Sequence, residues 1–88
     1  MHEQSLMADL MRKIITIGQE QPGSVIVRVK VRLGALSHIS ADHFREHFVQ
    51  AAKGSCAEQA QLDIEVSRDL NDPKAQEIIL DSIDVEDK

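Results

Sequence analysis

The chain predicts an α+β domain: two helices packed on one face of a small three-stranded, mostly antiparallel sheet, in the order α-β-α-β-β. Three observations predict it. Val25 to Leu33 alternates apolar and basic residues, the pattern of a strand with one oily and one wet face. Ser5 to Gln19 and Ile39 to Lys53 repeat apolar residues at helical spacing. Ala60 to Ser67 and Glu77 to Glu86 then read as strands.

Each element has its own signals. After a short polar start, Leu6, Met7, Leu10, Met11, Ile14, Ile15 and Ile17 mark one helical stripe. Asp9 lies early in that helix and Arg12-Lys13 later, which suits the helix dipole. Gly18 and then Pro22-Gly23 are expected to end it and turn the chain. In the strand that follows, Val25, Val27, Val29, Val31 and Leu33 are expected on the buried face, with Arg28, Lys30 and Arg32 opposite. Its β-branched valines fit a pleated surface and disfavour helix.

Ser40 is a suitable N-cap for a second helix beginning near Ala41, and Gly54 stops it. Ala41, Phe44, Phe48, Ala51 and Ala52 share one face of that helix. In the next strand Leu62, Ile64 and Val66 point inward and Asp63 and Glu65 outward. The two acids can pair across strands with Arg28, Lys30 and Arg32, each pair contributing roughly 0.2–1 kcal/mol. Arg68 to Lys74 reads as a loop around the turn signal Asn71-Asp72-Pro73. In the last strand Ile79, Ile83 and Val85 keep register, while Leu80 and Asp81 break the alternation, a sign of a bulge or a frayed edge.

The 88 residues make a single domain, 1–88. A domain of this size buries roughly 60–65% of the surface of its unfolded chain, enough for one two-layer core and too little for a deep enzyme cleft. Phe44 and Phe48 are the only aromatics, so aliphatic residues must fill the core. The net charge is −5, with acid concentrated near the C-terminus, which argues against nucleic acid as a ligand. No apolar run approaches the roughly 20 residues that span a bilayer, and the N-terminus lacks the basic and apolar regions of a signal peptide. The single cysteine, Cys56, excludes an internal disulfide and fits a reducing compartment, so a cytoplasmic location is expected.

The chemistry-bearing residues are few. The free amine of Met1, the His2 amide nitrogen and the His2 imidazole can close adjoining chelate rings on one metal ion, and the Glu3 amide or carboxylate can complete a plane. Nitrogen-rich square-planar sites suit Ni(II) and Cu(II), copper binding the more tightly on intrinsic affinity. His2 is bulky, so Met1 is expected to be retained. Taken on spacing alone, a frayed start with a chance histidine is the plainer reading of these three residues. His43 and His47 stand at i and i+4, the ligand spacing of zinc helices. Without an intervening glutamate and third ligand they read as solvated boundary residues beside Phe44 and Phe48. His38 reads as a loop residue that becomes a supplementary ligand if the fold brings it to the terminus. Cys56 lacks a Cys or His partner at ligand spacing and reads as a small, part-buried side chain. There is no glycine-rich phosphate loop and no nucleophile–base set, so an enzyme has nothing to stand on.

Several blocks together resemble one family. They are Met1-His2-Glu3 with Ser5-Leu6-Met7, the strand leading into Leu33-Gly34-Ala35-Leu36-Ser37, and Lys53-Gly54-Ser55 followed by Ala57-Glu58, Ala60, Leu62 and Ile64-Glu65. In order and spacing they resemble the HypA/HybF family of nickel-incorporation metallochaperones over roughly the first three quarters of the chain. The closing Leu80 to Glu86 is similar to the family's last strand. The resemblance implies nickel at Met1, His2 and Glu3 and reverses the plainer reading of those residues. It implies a maturation GTPase and a hydrogenase large subunit as partners, and a role in building a nickel enzyme, [NiFe] hydrogenase first among them.

The chain departs from the family in one large respect. The family's zinc ribbon, built from two Cys-x-x-Cys pairs between the last two strands, is not matched here. One cysteine cannot build a four-ligand zinc site, so no zinc is expected. A short loop over 68–76 takes the ribbon's place, and the last two strands are expected to form an ordinary hairpin. On the second helix Glu46 and Val49 stand where the family's pattern brackets Phe48 with an aromatic and an acidic residue, which puts a partner surface there in question. Two functions follow: a nickel carrier, or a zinc-less relative that serves metalloenzyme assembly as a protein-interaction module without carrying metal. Exposed sheet edges allow a monomer or a homodimer, the latter by edge pairing or exchange of the final strand.

Overall fold

A computed structural model describes residues 3–87 of the chain, with side chains from Leu6 onward. Its centre is β1 (Ser24–Leu33), the alternating valine strand. It is preceded by α1 (Glu3–Gln19) and followed by α2 (Ala41–Ala52), β2 (Gln61–Val66) and β3 (Ile78–Asp87). The class is the one expected, with both helices and the sheet sharing one core. Ser40 caps α2 as its sequence predicts: its Oγ accepts a hydrogen bond from the His43 amide at 3.1 Å. Gly54 follows the helix with φ +77°, the left-handed conformation that glycine adopts without a Cβ penalty. Gly18, in contrast, does not stop α1. It lies inside the helix, where an added Cβ would meet the Cys56 Sγ at 2.5 Å, so it provides a close approach.

The strand arrangement corrects the expected hairpin. The order is β2-β1-β3, with β2 parallel and β3 antiparallel to β1. The sheet is therefore mixed, and β2 and β3 never pair. Two physical reasons favour this. The stretch between β1 and β2 contains α2 and is long enough for the crossover that parallel strands require. Charge agrees, because β1 is basic on its outer face while β2 and β3 are both acidic. A β2–β3 hairpin would set Asp63 and Glu65 beside Asp81 and Asp84, like charges that repel across strands. With β1 between them, Arg28 pairs with Asp63 at 3.5 Å, and Arg32 lies 3.2 Å from Glu65 and 3.4 Å from Asp81. The Arg32 Nε–Glu65 approach is an ion pair without hydrogen-bond geometry, while the Arg32 Nη2 donates to Asp81.

Two bulges shift which residues face the core. Ile26 pairs with Val85 and Arg28 with Asp84, so Val27 is an extra residue in β1. Below it Val29, Val31 and Leu33 are buried as expected; above it Ile26, rather than Val25 or Val27, turns inward. On β3, Lys30 pairs with Ser82 and Val31 with Leu80, which makes Asp81 the extra residue, at the break seen in the sequence. Ile78, Leu80, Ile83 and Val85 pack on the core, and Ile79 takes the other face. The core is built on Phe44, Ile14, Leu33, Val29 and Val31, all fully buried.

The chain crosses from β2 to β3 past the end of β1. Ser67 donates to the Leu33 carbonyl at 2.9 Å, and Gly34 donates to the Glu77 carbonyl at 2.9 Å. A Cβ on Gly34 would collide with the Ala75 carbonyl oxygen, so this crossing needs a glycine. Asp69 and Asp72 each accept from the amide two residues on, the side-chain turns that suit Asp in a tight loop.

Candidate metal site

Two of the candidate ligands, His43 and His47, belong to the helical layer. α1 begins at Glu3. Met1, His2 and the Glu3 side chain lie outside the described residues. One and two turns further on, Met7 and Met11 are buried and face α2. With Ala8, Gln50, Ala51 and His47 they line a shallow cleft of about 510 Å³ between the helices. His47 therefore stands beside the opening turns of α1.

His43 lies one turn before His47, just inside the Ser40 cap. The two Nε2 atoms approach to 3.1 Å, and the rings are tilted by 52° with centroids 4.5 Å apart. At that distance one Nε2–H donates to the other ring's nitrogen. His43 is exposed and His47 half-buried, so solvent reaches the pair. The i, i+4 spacing was visible in the sequence; the convergence of the two reactive nitrogens was not, because it depends on both χ angles. His38 sits in the loop before α2, exposed, with φ +60°. The terminus that His38 is expected to supplement lies outside the described residues; among those residues no three His, Cys, Asp or Glu side chains gather as a metal cluster. Cys56 is exposed rather than part-buried, because it lies in the turns after α2, against Gly18 of α1.

Against known proteins, the family model described as "Hydrogenase/urease nickel incorporation, metallochaperone, hypA" matches residues 1–70. The chain belongs to the HypA family. A protein named hydrogenase maturation factor HypA from Archaeoglobus fulgidus is 34% identical over 68 residues, covering 77% of this chain and 62% of that protein. One of the same name from Methylocella silvestris is 33% identical over 66 residues, covering 75% and 58%. The chain thus spans about six-tenths of the length of the curated HypA relatives it matches. The HypA match includes Met1, His2, Glu3, His38 and the histidine pair, and it stops in the loop before β3. Among the described residues no helix is long and apolar enough to cross a membrane.

Proposed function

We propose that this chain is a nickel carrier in the maturation of a nickel enzyme, with [NiFe] hydrogenase as the target. The observation that carries the reading is the HypA family match over residues 1–70, which includes the Met-His-Glu start. Nickel is cargo here. The Met1 amine, the His2 amide and imidazole nitrogens and Glu3 supply the donor set that a square-planar Ni(II) prefers. A maturation GTPase and a hydrogenase large subunit are the proposed partners, and no catalytic step is assigned to the chain. Loading requires the nitrogens to lose protons, so the affinity falls as the pH is lowered.

A second reading rests on the single cysteine, which cannot supply a four-ligand zinc ribbon from within this chain. In that reading the HypA fold serves assembly as an interaction module and carries no nickel. A Ni(II) titration of tag-free protein by calorimetry and visible absorbance separates the two. Stoichiometric binding with a square-planar band, lost in His2→Ala, supports the carrier. Binding that ignores His2, or no binding, leaves the interaction module.

A further inference from the structure

We propose that His43 and His47 form a metal-binding pair on the flank of α2 for a divalent late first-row ion such as Ni(II). The geometry points to it. A metal–imidazole bond is about 2.0–2.1 Å. Two such ligands on one ion therefore hold their nitrogens about 2.9 Å apart at a right angle and about 3.3 Å apart at a tetrahedral angle. The observed Nε2 separation is 3.1 Å, between the two. A metal can replace the shared proton with a ring adjustment of only a few tenths of an ångström. Helix geometry supplies the rest, because residues four apart sit one above the other on a single face. The Ser40 cap fixes the turn that bears His43.

The ligand chemistry narrows the ion. Two neutral imidazoles suit zinc, copper and nickel and disfavour magnesium or calcium, which take oxygen. Among the described residues no third His, Cys, Asp or Glu side chain joins the pair. The pair lies beside the cleft bordered by Met7 and Met11, next to the opening turns of α1. An ion held there has a staging place within the same helical layer as the start of the chain.

The test uses full-length, tag-free protein and Ni(II) chloride alone. His2→Ala removes the terminal donor set, so its residual binding reports the helix site. Calorimetry of His2→Ala is expected to show a weak, one-to-one binding event. Adding His47→Ala, or His43→Ala, is expected to weaken that event on the order of tenfold or more, with unchanged circular dichroism. Substoichiometric paramagnetic Ni(II) in the His2→Ala protein is expected to broaden the ring resonances of His43 and His47 before any others. Arg32→Ala, on the outer face of the sheet, serves as the control and leaves both signals alone. The proposal is overturned if His2→Ala binds no nickel, or if its residual binding survives loss of both helix histidines. A failure of the terminal site appears instead as wild-type binding insensitive to His2→Ala, which leaves the helix site to be judged on its own variants.

Discussion

The outer face of the sheet and the flank of α2 both carry polar side chains in close pairs, yet they differ in what those pairs are for. On the sheet, Arg28 and Arg32 stand between acids on both neighbouring strands, and Arg32 is held from two sides at once. Opposite charges there neutralise each other and fix which strand lies beside which. On α2, His43 and His47 bring two like donors together, with their reactive nitrogens 3.1 Å apart. Complementary charges satisfy one another, whereas two imidazoles side by side offer a pair of nitrogens to one ion. The sheet face is thus assigned to architecture and the helix flank to ligand.

Four measurements can break or sharpen that contrast. The largest effect belongs to the core that both regions share. Phe44, on the same helix as the histidines, is fully buried in that core, so Phe44→Ala is expected to cost about 3–5 kcal/mol in urea unfolding. Next is Gly34→Ala, whose Cβ meets a backbone carbonyl that cannot swing aside. The expected loss is about 1–3 kcal/mol, visible as a lower midpoint with an unchanged denaturant slope. A wild-type midpoint in this variant would mean that the loop crosses β1 elsewhere.

Arg32→Ala removes two partly exposed ion pairs and should cost about 1 kcal/mol or less. Raising the salt to about 1 M should shrink the difference between this variant and wild type, since exposed pairs are screened. Nickel binding should not respond to Arg32→Ala. The double variant His43→Ala/His47→Ala is expected to show the reverse pattern: stability within about 0.5 kcal/mol of wild type, with the change confined to metal binding. If Arg32→Ala altered nickel affinity, or the histidine variant lowered the melting temperature by many degrees, the division between the two regions would be wrong.

Sequence patterning alone determined most of the local structure. Ser40 and Gly54 bracket α2 because a cap and a left-handed glycine act within a few residues. The valines of β1 select a strand, and the broken alternation at Asp81 announces a bulge, again from local spacing. The Met-His-Glu start and the ordered blocks behind it are legible as HypA because residue order survives where geometry cannot be seen. Three features needed the tertiary structure. The bulge at Val27 turns Ile26 inward, since a buried face is set by the partner strand as well as by the residue pattern. The placement of β2 and β3 on opposite edges depends on long-range charge pairing and on a crossover helix, which no local window contains. The meeting of His43 and His47 depends on side-chain torsions, so spacing made the pair conceivable and only the folded helix brought its nitrogens together.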